Sequence, residues 1–154
     1  MILNFTNHLA IFLSLIFCMH CGVGVPYNSN AILKRPIHIS IKGISGKKIE
    51  LTYQIQNQEE DFDGYNIYLS RTGITEAEAE INIPPLKIDG SIPSVKHNPK
   101  EYNPANSQVL QILYYNDNIT QLEVNVTYFV RIAAHSRTGI RSELSNESST
   151  VILP

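Results

Sequence analysis

From residue 34 onward, apolar and polar side chains alternate with a period of two in one short run after another. That is the pattern of strands with one buried and one wet face. Ile37, Ile39 and Ile41 alternate with His38, Ser40 and Lys42, and residues 43–46 (GISG) read as the turn that follows. Ile49, Leu51, Tyr53 and Ile55 alternate with Glu50, Thr52, Gln54 and Gln56. The polar stretch 57–63 closes on Asp63-Gly64, a turn pair, ahead of Tyr65, Ile67 and Leu69, which are opposed by Asn66, Tyr68 and Ser70. Towards the C-terminus Tyr128, Val130, Ile132 and Ala134 alternate with Phe129, Arg131, Ala133 and His135. Thr138-Gly139 falls in the next turn, and residues 149–153 form a last strand. β-Branched and aromatic residues dominate these runs, and short strands separated by turn signals predict an all-β, antiparallel β-sandwich.

Two stretches break the alternation. In residues 71–107 there are five prolines, Pro84, Pro85, Pro93, Pro99 and Pro104, and a span of this length is either functional or loosely ordered. Within it Thr75-Glu76-Ala77-Glu78 matches a capping box, predicting a short helix over 76–81; the alternative is an exposed strand with Glu76, Glu78 and Glu80 outward. The other stretch is N-terminal. Residues 1–33 hold no Asp, Glu, Lys or Arg, and residues 9–17 (LAIFLSLIF) form an apolar run interrupted only by Ser14. A membrane-spanning helix needs about 20 apolar residues, whereas the core of a secretory signal needs only about 7–15. His20 and the following glycines cut the run short, so export is expected, with a short membrane anchor as the competing reading.

The end of this run resembles the lipobox of bacterial lipoproteins, in which a cysteine just after the apolar core is acylated and becomes the first residue. The resemblance implies residues 1–20 as signal peptide and Cys21 as the lipidated residue, with Cys18 as the alternative. The competing reading makes both cysteines ordinary apolar residues of a cleaved signal. Residues 21–33, rich in Gly, Pro, Ser and Asn, then read as a flexible tether, and residues 34–154 as the folded domain.

Residues 119–134 (ITQLEVNVTYFVRIAA) resemble the region joining strands E and F of a fibronectin type III domain, with Leu122 six residues before Tyr128. In that family the tyrosine forms a corner, its hydroxyl bonding back to the backbone while its ring fills the core. Residues 135–146 (HSRTGIRSELSN) are similar to the F–G hairpin, Pro36 to the start of strand A, residues 48–53 to strand B, and residues 63–68 to strand C. The resemblance implies an immunoglobulin-like sandwich of about seven strands, with 71–107 as a long insertion between C and E. Tyr53 stands where the family usually has tryptophan, which keeps the aromatic bulk but leaves a hydroxyl to satisfy. Residues 109–115 read either as an extension of strand E or as a separate strand C′, and Ile119 and Leu122 fit the end of E.

Composition narrows the chemistry. With 12 Lys+Arg against 14 Asp+Glu the chain has a formal net charge of −2, so no basic excess is present to hold a nucleic acid. No Gly-x-Ser-x-Gly, P-loop or His-Glu-x-x-His pattern occurs, and His38, His97 and His135 lack a second ligand at metal spacing. No cofactor, metal or small-molecule substrate is expected. His135 falls on the outward register of its strand and reads as a solvated surface histidine. Glu59, Glu60, Asp61 and Asp63 read as a solvated turn rather than a calcium loop, since the later acidic ligands are missing. The candidate binding surface is the 71–107 insertion together with the F–G loop, where Arg137, Thr138 and Arg141 stand.

The expectation is a non-catalytic protein-interaction module, held by lipid to a membrane of the cell envelope and displayed at the outer membrane or cell surface, with a protein partner. A structural component of an envelope complex, marked by an exposed apolar patch, is the first alternative. A small hydrolase is the second; it requires Asp89, His97 or Glu101 to converge in a pocket of the insertion.

Overall fold

In the computed structural model, residues 33–115 and 120–154 are described; the expected signal peptide, Cys18, Cys21 and nearly all of the expected tether lie outside them. Strand β1 (Ser40–Ile44) pairs with β2 (Lys48–Ile55), which pairs with β5 (Asn103–Ile112), all antiparallel. The second sheet has the order β4 (Val95–Lys96), β3 (Phe62–Ser70), β8 (Thr127–Ser136), β9 (Ser148–Val151). A short ribbon, β6 (Tyr114–Tyr115) with β7 (Thr120–Gln121), follows β5. These are strands A, B and E facing C′, C, F and G, the fibronectin type III-like sandwich. No helix of the described residues is long and apolar enough to cross a membrane.

The alternation in β2 and β8 is the core. Ile49, Leu51, Tyr53 and Ile55 from one sheet meet Tyr65, Ile67, Leu69, Val130, Ile132 and Ala134 from the other, all buried. Leu122 and Tyr128 are fully buried, and the Tyr128 hydroxyl accepts a hydrogen bond from the Glu123 amide at 3.1 Å. The tyrosine corner is therefore formed. Leu33 is buried in this same core, so the folded part includes a residue expected in the tether.

Four sequence expectations shift. The first strand begins at Ser40 rather than Ile37, because His38 takes a positive φ of 56° and breaks the extended run; Ile37 is left exposed. Its turn lies at 45–47, not 43–46. Gly43 is inside β1, where a Cβ would overlap the carbonyl oxygen of Val151, so glycine serves a close crossing of β9. Asp63-Gly64 is likewise not a turn but part of β3, at a register shift opposite β8; Gly64 has a φ of 145°, and a Cβ would overlap the Val95 carbonyl of β4. Finally, β5 takes in Asn103 to Ile112, so the last five positions of 71–107 belong to strand E, and strand C′ is β4 rather than 109–115.

The rest of 71–107 is ordered against the second sheet. Thr75 caps helix α1 (Glu76–Ile81) with the expected capping box. Ile74 and Ala79 pack on Tyr68, Ala133 and Leu144, a small second core on the outer face of β3 and β8. The chain then runs beside β3: the Leu86 amide donates to the Ile67 carbonyl at 2.8 Å, and the Ile67 amide donates to Ser94 Oγ at 2.9 Å. His135 is half-buried rather than solvated. Burial lowers its pKa, with the charge of Asp63 opposing, and its Nδ1 has no hydrogen-bond partner among the described residues.

Candidate functional site

At one pole of the sandwich, three segments are tied together: the turn before β3, the hairpin after β8, and the chain between β4 and β5. The hairpin is stiffened by its own hydroxyls. The Ile140 amide donates to Ser136 Oγ at 2.9 Å, Ser136 Oγ lies 2.9 Å from Thr138 Oγ1, and Gly139 supplies the positive φ of 84° that the turn needs. Asp61 then fastens this hairpin to the turn before β3. Its carbonyl accepts from the Arg137 amide and its carboxylate from Thr138 Oγ1, each at 2.9 Å. The acidic turn thus acts as a brace. Glu59 does similar work on the other side, accepting from the Lys34 amide at 2.8 Å.

The third segment rests on an aromatic cluster. Tyr53 and Tyr65 meet edge to face with centroids 5.6 Å apart, and the His97 ring stands 5.8 and 6.0 Å from them. Burial pushes the Tyr53 hydroxyl up to about 12, with the Tyr65 and Glu101 charges adding to the effect. It therefore keeps its proton and lies 2.9 Å from His97 Nε2, while His97 Nδ1 lies 2.7 Å from Glu101; in the neutral imidazole whose Nδ1–H donates to that carboxylate, Nε2 accepts from the tyrosine. Glu101 also accepts from Asn98, whose own Oδ1 accepts from the Lys100 amide at 3.0 Å, so the 3₁₀ turn Pro99–Glu101 is capped at both levels. Tyr65, its hydroxyl also raised by burial to about 12, accepts from the Gln56 amide at 3.0 Å and donates to Asn57 Oδ1 at 2.9 Å.

Between the braced hairpin and this capped turn lies a cleft of about 420 Å³, lined by Glu60, Asn98, Pro99, Lys100 and Arg137. The Arg137 side chain is exposed and its guanidinium makes no ion pair among the described residues, while its backbone is fixed by Asp61. A cation on a held backbone beside a carboxylate and a second cation can orient a polar group of a partner.

The expected binding residues therefore separate. Arg137 lines the cleft, and Thr138 positions it through Asp61. Arg141 is turned away towards α1, where it pairs with Glu76 at 2.8 Å while Glu76 also accepts from the Leu144 amide at 2.6 Å. Burial works against the Glu76 charge, yet Arg141 and the Leu144 amide hold its pKa below the ordinary carboxylate value. Arg141 is thus a clamp on the outer face. His97 and Glu101 are brought together, but exposed Asp89 has no recorded contact with them. Sequence reading did not link His97 to Tyr53; the hydroxyl left by tyrosine in the tryptophan position was the available signal. Among the described residues no group of three or more His, Cys, Asp or Glu is placed to hold a metal ion.

The sequence matches no protein-family model and no curated protein. Among solved structures the chain is similar to one described as a myokine structure (12% identity, TM-score 0.44, covering 79% of this chain and 98% of that one). It is also similar to the chicken CNTN1 FN1-FN3 domains (15%, 0.46, 79% and 32%) and to a β-1,2-glucanase from Parabacteroides distasonis (16%, 0.43, 80% and 13%). The chain thus spans about a third and an eighth of the last two. The fold assignment rests on its strand order and register rather than on these likenesses.

Proposed function

We propose that the chain is a non-catalytic protein-interaction module that presents the cleft beside Arg137 to a protein partner, outside the cytoplasm, on a lipid anchor at Cys21. The fold supports the coarser part of this reading: a rigid sandwich carrying loops at its pole is a frame for recognition. The observation that carries the finer part is Arg137, whose backbone is braced by Asp61 while its cation faces open solvent beside Lys100 and Glu60. The nearby His97 supports a structural rather than a catalytic role, since both of its ring nitrogens are engaged and the tyrosine on one of them keeps its proton.

Two measurements test the reading. Metabolic palmitate labelling of the wild-type chain and of Cys21→Ser should give label only in the wild type; label that persists moves the anchor to Cys18, and none in either removes it. Cross-linking of the displayed chain to envelope proteins, compared with Arg137→Glu, should lose its product by about tenfold or more, the size expected for reversing a charge in a contact. An unchanged product removes the cleft from the contact surface.

A further inference from the structure

Each sheet of a sandwich has two edges, and an open edge offers unpaired backbone donors and acceptors to any extended chain. Three of the four edges here are blunted. Strand β1 carries Lys42, is followed by Lys47 and Lys48, and is crossed by β9, whose Thr150 hydroxyl accepts from the Gly43 amide at 2.8 Å. Strand β4 is only two residues long and carries Lys96. Strand β9 is four residues long and lies under that same crossing.

Strand β5 differs. Its ten residues, Asn103–Ile112, pair only with β2 among the described residues, and none is charged. Pro104 and the register shift opposite Gln54 and Ile55 disturb its first part, where Asn103 turns back to accept from the Ala105 amide at 3.2 Å. From Ser107 to Ile112 the register against β2 runs without a break. On this stretch Gln108, Leu110 and Ile112 lie on the core side, and Ser107, Val109 and Gln111 face outward, with Val109 61% exposed.

We propose that β5 is a self-association edge, along which a second copy of this chain pairs antiparallel to join two three-stranded sheets into one of six. The occupant follows from the side chains. A two-fold axis normal to the sheet keeps each face on its own side, so residues of the same parity oppose each other. Centred on Val109, that pairing sets Val109 against its own copy and Gln111 against Ser107 of the other chain. An apolar group meets an apolar group, an amide meets a hydroxyl, and no like charges face each other. Of the four edges this is the longest, and it carries no charge along its ten residues. It is also separate from the Arg137 cleft, so neither surface depends on the other.

The test uses the full chain with Cys18→Ser and Cys21→Ser, so that neither lipid nor native thiols cause association. Sedimentation velocity across a concentration series should show a monomer–dimer equilibrium. Val109→Lys, which opposes two ammonium groups on the axis, should weaken it by about tenfold or more, while Val109→Thr should retain it. At a concentration where the wild type is monomeric, circular dichroism should give both variants its melting profile, since the side chain is exposed. In the same background Val109→Cys should form a disulfide-linked dimer on mild oxidation, well above the yield from Val151→Cys on β9. A monomer at every concentration, a dimer that survives Val109→Lys, or equal cross-linking at both positions overturns the proposal. So does a monomer in which the alternate amides of 107–112 that point away from β2 also resist hydrogen exchange, because the edge is then covered from within the chain.

Discussion

Replacing Tyr128 with phenylalanine isolates the tyrosine corner. The ring is fully buried and stays, so the apolar packing against Leu122 and Val130 is retained. The Arg71 guanidinium lies 5.8 Å from the ring centre and keeps its attraction to a phenylalanine face; it also bonds the Tyr128 hydroxyl, but it is exposed and water takes that place. What disappears from the less accessible side is an acceptor for the Glu123 amide. A neutral hydrogen bond contributes about 0.5–1.5 kcal/mol net, and a donor left without a partner in the interior costs about 1–3 kcal/mol. Glu123 lies at the exposed surface, so water reaches part of the freed amide and the expected loss is about 1–1.5 kcal/mol. Tyr65→Phe sets the scale. That hydroxyl both accepts from the Gln56 amide and donates to Asn57, whose side chain is completely buried, so about 2–3 kcal/mol is expected. Urea unfolding with unchanged m-values measures both, and the Tyr128 variant should melt roughly 4 °C below wild type. A loss under about 0.3 kcal/mol for Tyr128→Phe, or one exceeding that of Tyr65→Phe, refutes the reasoning that amide access to water sets the size of the effect.

Three further outcomes follow from the same contacts. Gly43→Ala should destabilise by about 2–3 kcal/mol in urea titrations, since the new methyl meets the Val151 carbonyl and β1 and β9 must part. The Glu76 carboxyl has its folded pKa below the ordinary 4.5, so its clamp contributes fully above 4.5 and is lost as pH falls through the folded value; the deficit of Glu76→Gln, about 0.5–1 kcal/mol at pH 7, should shrink steadily as the pH is lowered below 4.5. His135 also has its folded pKa below its ordinary 6.5, but as a base its contribution is complete above that value and declines as pH falls beneath it; its NMR titration midpoint should lie under 6.5, and a midpoint above 6.5 contradicts the burial argument.

The elements that were legible in the sequence are those where one local rule acts alone. The period of two in β2 and β8, the spacing of Leu122 to Tyr128, and the capping box at Thr75 each translate directly into the observed strand, corner and helix. The misreadings share a cause. Gly43 and Asp63-Gly64 carry turn chemistry, yet the glycines serve close crossings by β9 and β4, partners over 100 and about 30 residues away that no local pattern displays. His135 lies on the face of β8 that the alternation gives it, but the alternation does not display how far that position is buried. The binding loop was half legible: Arg137 and Thr138 sit at the pole, whereas Arg141, only four residues on, is drawn away by a glutamate 65 residues earlier in the chain.

The tyrosine in the tryptophan position and the long segment before β5 are connected by the same set of bonds. A hydroxyl in the core demands a partner, and at Tyr53 no neighbour within either sheet supplies it; His97, delivered by that segment, does. Once His97 accepts there, its other nitrogen orients Glu101, Glu101 holds Asn98, and Asn98 caps the turn that carries Lys100. The chain of contacts therefore runs from the centre of the sandwich to the wall of the cleft without a gap, and the opposite wall is fixed just as firmly by Asp61. Core satisfaction and the shape of the exposed pole are thus one requirement rather than two. Removing the Tyr53 hydroxyl would release the turn at Lys100 while leaving Arg137 in place, altering one side of the cleft alone.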